Sequence, residues 1–268
     1  MTEKSVLVER KPLQVPEQYM GLITLNRPKE MNPMDWGTVK ELKTAVHELS
    51  ADKSVRLIAL TGSGKAFSAG GDLKGYLTLQ RDEPAFKRFL DDILEVCESM
   101  RLSSKPVLAL VNGYCVAGGL ELFLACDLAY AAESAKIGDG HVNFGQIGGG
   151  GSNVRLPRWI MPSLARELLF TGRLLSAQES LQWGLLNKVV PDDKLLEAGL
   201  ELANTLALKS ALGLSIIKDV CNRSLDMPIE EGLRYEIDKV FDYALTSHDC
   251  REGLNAFSEK RKPKFLGR

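Results

Sequence analysis

A glutamate placed one turn inside a helix that opens on bare glycines is the part of this chain best equipped for chemistry. It stands as Glu121 in Val111 to Asp127, VNGYCVAGGLELFLACD. The apolar run Pro106 to Val111 reads as a buried strand, Asn112-Gly113 breaks it, and Ala117-Gly118-Gly119 opens a second apolar segment that fits a helix start. Small residues there leave backbone N–H groups uncovered. The helix dipole adds partial positive charge, so an anion or a developing oxyanion can approach the main chain. A carboxylate beside such a site can move a proton while the N–H groups hold the negative charge that results. The dipole alone would also favour Glu in a first helical turn, so this segment needs a partner elsewhere.

Gly62 to Gly75, GSGKAFSAGGDLKG, supplies one. The strand-like run Val55 to Thr61 passes into a loop with Ser68, Ala69, Gly70 and Gly71, then Asp72, where main-chain N–H groups can come close to a ligand. The spacing around Lys65 excludes a GxxxxGK[ST] phosphate loop, and no GxGxxG sits in a strand-turn-helix context. Ser68 lacks a GxSxG setting, which argues against a serine hydrolase. A plain surface turn is the other reading of this loop.

Four further blocks stand in order with these two: LITLNRPKEMN (Leu22 to Asn32), IGGGGSNVRLPR (Ile147 to Arg158), FTGRLLSAQESLQWGLLNKVVP (Phe170 to Pro191) and EGLNAFSEKRKPKF (Glu252 to Phe265). Taken together, the six resemble the crotonase superfamily, also called the enoyl-CoA hydratase/isomerase family, over nearly the whole chain. The resemblance implies an α/β fold, a crotonase-like spiral of β-β-α units with a C-terminal helical region. It implies a core over residues 1–190 carrying an acyl-CoA site, and a helical cap or oligomerisation region over 191–268. Carried over position by position, it makes the N–H groups of Gly71 and Gly118 an oxyanion hole for a thioester carbonyl and gives Glu121 the acid/base role. Ala66, Ser68, Ala69, Gly70, Asp72, Leu73 and Lys74 would line the substrate and CoA channel. No cofactor is implied beyond coenzyme A carried as the substrate thioester, and a homo-trimer or hexamer is the implied assembly. The basic tail Lys260-Arg261-Lys262-Pro263-Lys264 is either a solvated end or, as in the family, a neighbour of the CoA nucleotide.

One loop departs from the family pattern. Its hydratases carry a second Glu in a pattern like PEVxLG, and aligning HVNFG with it puts His141 there. A carboxylate and an imidazole can between them activate water and deliver a proton, so His141 is a candidate partner of Glu121. The alternative is that His141 is a hydrogen-bonded loop residue and Glu121 acts alone. Asp139, two residues away, either supplies the carboxylate that position 141 lacks or forms the turn between its two glycines. The activity implied is hydration or dehydration of an enoyl-CoA through an oxyanion-stabilised enolate. Loss of the second Glu keeps open a double-bond isomerase, a C–C or thioester hydrolase, and a non-catalytic relative that only binds CoA thioesters. The acyl group has no sequence signature.

The elements that must position these residues follow from periodicity. Val6 to Val8 and Gly21 to Leu25 read as paired strands, and Trp36, Val39, Leu42, Val46 and Leu49 recur at helical spacing behind Asp35 as N-cap. With Val55 to Thr61 as the next strand they make a β-α-β unit. The amphipathic run Phe86 to Met100 leads to the Pro106 strand and makes a second. Such units bring parallel strands side by side with ligand-binding loops at their carboxyl ends. Asp127 to Ala131 and Lys136 to Ile137 are short strands, and Ser176 with Glu179 forms a capping box. Asp193 to Leu208, Ser210 to Arg223, Pro228 to Leu245 and Asp249 to Glu259 are helices.

Composition bounds the rest. With 34 basic and 35 acidic residues the net charge is −1, which gives no global attraction for nucleic acid or an acidic membrane. Five cysteines without CxxC read as reduced core thiols, and no metal-ligand spacing joins them to the three histidines. No run of eighteen apolar residues occurs, and MTEKSVLVERK lacks the apolar stretch of a signal peptide. The expectation is a cytoplasmic protein with no membrane partner.

Overall fold

The computed structural model describes residues 4–268, so Met1 to Glu3, at the head of the expected 1–190 core, lie outside the described residues. The chain opens with β1 (Val6–Pro12) and β2 (Tyr19–Leu25), followed by α1 (Trp36–Ala51), β3 (Val55–Gly62) and β4 (Ala66–Ser68). It continues through α2 (Leu73–Leu79), α3 (Glu83–Arg101), β5 (Val107–Val111), β6 (Tyr114–Val116), α4 (Gly118–Leu124), β7 (Leu128–Ala132) and β8 (Lys136–Gly138). After a 3-10 turn, His141–Phe144, come α5 (Ser152–Trp159), α6 (Pro162–Thr171), β9 (Leu175–Ser176), α7 (Ala177–Gln182) and β10 (Lys188–Val190). The chain then turns wholly helical: α8 (Leu195–Ala207), α9 (Ala211–Ser224), α10 (Ile229–Thr246) and α11 (His248–Ser258).

Two sheets organise these elements. The larger runs β1-β2-β3-β5-β7-β10 and the smaller β4-β6-β8-β9. Each of the successive pairs β3/β4, β5/β6 and β7/β8 gives one strand to each sheet before helices carry the chain on, which is a spiral of β-β-α units. Neighbours from β2 to β10 in the large sheet are parallel, as are β4, β6 and β8 in the small one. Parallel strands covered on both faces must be apolar throughout, and β5, VLALV, is buried at every position. One core fills the space between the sheets and α1 and α3 to α7, with Phe67, Phe89 and Phe123 fully buried. A second, built on Leu22, Leu57, Leu108 and Leu110, lies under α8 through Leu195, Ala198 and Ala203.

Local signals set the helix ends. The Asp35 side chain accepts from Thr38 N–H to start α1, and Ser176 and Glu179 complete the expected capping box at α7; such caps each contribute on the order of 1 kcal/mol. Pro191 follows the last strand, and the helical remainder is fastened to the core by Lys218 of α9. Its buried ammonium donates to Met100 O at 2.8 Å and Lys105 O at 2.9 Å and pairs with Asp127 Oδ2 at 2.7 Å. The apolar face expected on α10 is present but uncovered: Ile229, Leu233, Ile237, Val240, Phe241 and Leu245 are all exposed in the single chain. Among the described residues no single helix is long and apolar enough to cross a membrane.

Besides the two-residue β9, two strands were not visible in the sequence. The loop expected over Gly62 to Gly75 contains β4, and the turn expected between Asn112 and the central helix contains β6. Each is three residues long and is held by pairing, Ala66 with Tyr114 and Ser68 with Cys115, rather than by any pattern of its own.

Candidate active site

The short strands are what gather the site. β4, β6 and β8 lie side by side and parallel, so their carboxyl ends emerge together, the place where open parallel sheets bind ligands. From those ends run Ala69-Gly70-Gly71, Ala117-Gly118 and Asp139-Gly140-His141. The first loop is pinned from below by Asn32, whose Nδ2 donates to Ser63 O, Ala66 O and Phe67 O while its own carbonyl accepts from Ser68 Oγ at 2.8 Å. Met34 N–H then holds Gly70 O at 2.9 Å. The second loop turns on Ala117, which adopts φ 51° and ψ −117°, a strained conformation for a residue with a side chain. The two loops touch: a Cβ on Gly118 would lie 3.7 Å from Gly70 Cα. Neither Gly71 N–H nor Gly118 N–H donates to a protein acceptor among the described residues. Two unspent backbone donors therefore stand on adjoining loops.

Glu121 lies one turn into α4 and is buried at 3% exposure. Its Oε1 accepts from Gly150 N–H at 2.7 Å and more weakly from Ser152 N–H at 3.4 Å. These donors lie in and just after the glycine run Gly148 to Gly151, which Arg155 clamps by donating to Gly150 O and Glu98 Oε1, both at 2.6 Å. Burial pushes the Glu121 carboxyl above its usual range, against the pull of a charged His141 and the two N–H groups. By sequence alone, four consecutive glycines fit either a flexible loop or main chain that passes close to an acyl group. The structure uses one of them, Gly150, to hold the carboxylate.

His141 begins the 3-10 turn, with Nδ1 at 3.0 and 3.1 Å from Asp139 Oδ1 and Oδ2 and its backbone N–H on Oδ1 at 3.2 Å. Burial would lower the imidazole pKa, but the Asp139 hydrogen bond and charge, with Glu121 beyond, raise it above the ordinary value. Burial would raise Asp139, yet His141 and the nearby Ser152 hydroxyl bring it below the usual carboxylate range. Ser152 Oγ sits close enough for that influence but makes no hydrogen bond of ordinary length. A Cβ built on Gly148 would collide with Ser152 Oγ and lie 2.8 Å from Glu121 Oε1 and 3.2 Å from His141 Cε1. The carboxylate and the imidazole thus meet over one bare Cα. With Nδ1 taken by Asp139, Nε2 is the free nitrogen. Of the two readings of Asp139, the turn alone does not describe it: it is buried and its carboxylate is bound to the His141 ring.

Not every residue expected along the channel has surface to offer. Ala66 and Ser68 are fully buried, so their part is to build β4 and brace the loop, which corrects their place in a substrate lining. Asp72 caps α2 by accepting from Lys74 N–H at 3.2 Å, while Ala69, Leu73 and Lys74 are exposed near the Gly71 loop. Gly70 is buried beneath it. Tyr76, which nothing in the sequence singled out, leans over Gly71: a Cβ there would lie 2.5 Å from the phenolic oxygen. In the tail, Arg261 is held by Glu252 and Glu259. Among the described residues no three His, Cys, Asp or Glu side chains gather as metal ligands.

A sequence model of the family described as enoyl-CoA hydratase/isomerase matches residues 17–268. The chain is 38% identical to a probable enoyl-CoA hydratase of Rhizobium meliloti over 268 residues, covering 100% of both chains. It is also 38% identical to a probable mitochondrial enoyl-CoA hydratase of Dictyostelium discoideum over 244 residues, 91% of this chain and 86% of that one. The fold matches the crystal structure of an enoyl-CoA hydratase from Bacillus anthracis with a TM-score of 0.91 and 32% identity, covering 98% and 100% of the two chains.

Proposed function

The chain belongs to the enoyl-CoA hydratase/isomerase family, and on that premise we propose that it adds water across the 2,3 double bond of an enoyl-CoA, or removes it, with Gly71 and Gly118 holding the thioester oxygen. It is a hydratase-like, acyl-CoA-processing enzyme, and coenzyme A enters as part of the substrate. The observation that carries the assignment of roles is the meeting of Glu121 Oε1 and the His141 ring over Gly148, next to the two unspent amides.

In this reading the thioester oxygen accepts from both N–H groups, so negative charge that builds there during attack meets donors already in place. Ionised Glu121 takes a proton from water as the water oxygen bonds to Cβ. The electron pair of the double bond moves to Cα and the carbonyl oxygen, and His141, protonated and steadied by Asp139, gives its Nε2 proton to Cα. The proton left on Glu121 returns to His141, which restores both groups with one water added.

The pH dependence follows with its sign. Hydration needs His141 protonated, so kcat falls as pH rises through the imidazole pKa, which Asp139 holds above the ordinary value. Asp139→Asn removes that charge and leaves burial, which acts downward, opposed only by the Glu121 charge, the smallest of the upward causes. The alkaline limb of a kcat–pH profile is expected to move to lower pH in this variant. An unmoved limb would mean that His141 does not supply the proton.

Assembly belongs to the same reading. The exposed apolar stripe of α10 supports a homo-trimer or hexamer. Ile237→Glu with Phe241→Glu is expected to give a monomer by gel filtration with light scattering, and an unchanged mass would take α10 out of the contact. All five cysteines are free, which fits a reducing compartment, cytoplasm or mitochondrial matrix alike.

The direct assay is loss of enone absorbance with crotonyl-CoA and longer enoyl-CoAs, beside conversion of 3-enoyl-CoA. Conversion of the latter with no water addition to any 2-enoyl-CoA would replace the hydratase reading with an isomerase.

A further inference from the structure

Tyr76 is a polar group at the site that the scheme above does not use. It stands in α2, and its ring is fixed by edge contacts to Phe86 and Phe89, with centroids 6.5 and 5.4 Å away. The phenolic oxygen and Cζ fill the space where a Cβ on residue 71 would go, at 2.5 and 2.7 Å. Since N and Cβ share one Cα, the hydroxyl lies within about 5 Å of the Gly71 nitrogen. Among the described residues it makes no hydrogen bond, yet it is not a sealed orphan and keeps access to open space. A half-buried tyrosine normally pairs its O–H, and one left unpaired beside an oxyanion donor lacks only an acceptor.

We propose that the Tyr76 hydroxyl is a third donor to the thioester oxygen, closing over the pair of amides at Gly71 and Gly118 as negative charge develops. The proposal rests on the reading of those amides given above. Burial, with the charges of Glu121 and Asp72, pushes the phenol up to about 12, so it stays a donor wherever the enzyme works. It also gives position 71 a reason to be glycine: any side chain there would displace the ring. No proton leaves Tyr76; the hydroxyl only donates a hydrogen bond that strengthens from carbonyl to enolate.

The test follows exchange of the α-protons of butyryl-CoA in deuterated water by mass spectrometry, with steady-state hydration of crotonyl-CoA alongside. Tyr76→Phe keeps the ring and its packing. It is expected to slow exchange and kcat about tenfold, the scale of one neutral hydrogen bond, with KM changed less than about twofold. Gly71→Ala retains the N–H but takes the space of the hydroxyl, so Tyr76→Phe added to it is expected to cost nothing more. Wild-type rates in Tyr76→Phe, additive losses in the double variant, or a loss confined to KM would each overturn the proposal. If the wild type exchanges no α-proton, the amide pair is misread and the proposal falls with it.

Discussion

Glu121→Gln is expected to lower kcat for hydration by about a thousandfold, within the range general acid–base groups supply, while KM and the fold remain. The carboxylate is fixed by two elements at once: α4 carries it, and the N–H groups of Gly150 and Ser152 donate to it. A glutamine side-chain oxygen can accept the same Gly150 N–H, so the glycine run keeps its partner. What vanishes is the capacity to take a proton from water. Burial disfavours a charged carboxylate at this position, so the neutral amide is expected to leave the melting temperature unchanged or raise it, a common exchange of function for stability at reactive sites. Steady-state kinetics with a thermal melt of both proteins checks the pair of outcomes. A Glu121→Gln enzyme within tenfold of wild type would move the water-activating role to another group.

Gly118→Pro is expected to cost about a hundredfold to a thousandfold in kcat, the loss seen when one oxyanion donor is removed. Position 118 is the first residue of α4, where proline's missing N–H breaks no intrahelical bond and its fixed φ suits the helix. There is room as well, since a Cβ at 118 would meet Met34 and Gly70 only at 3.5 to 3.7 Å. Gly118→Ala is the companion variant: it adds the carbon but keeps the N–H, and it is expected to stay near wild type. Equal kcat for the two variants, with circular dichroism and melting curves alike, would mean that the Gly118 amide carries no developing charge.

Much of this arrangement was legible because it is local. The period of Trp36 to Leu49, the Asp35 cap and the Ser176–Glu179 box each depend on residues a few positions apart, and each stands where periodicity and capping put it. The resemblance also led to the right fold. The short strands β4 and β6 were not legible, because AFS and YCV have no alternation to read and owe their extended state to each other and to β8. The same holds for the site's pairings, near or distant in sequence. Nothing near Gly150 in sequence says that it will hold Glu121, nothing near Tyr76 says that it will lean on Gly71, and the residues around Asp139 leave a turn and a carboxylate role both open until the fold pairs it with His141.

The most direct measurement is a crystal structure of the protein with acetoacetyl-CoA or a saturated acyl-CoA bound. The account predicts the thioester oxygen at roughly 3 Å from both the Gly71 and the Gly118 nitrogen, with Glu121 and His141 facing the α and β carbons. A thioester oxygen turned towards solvent, or held by other groups, would contradict it.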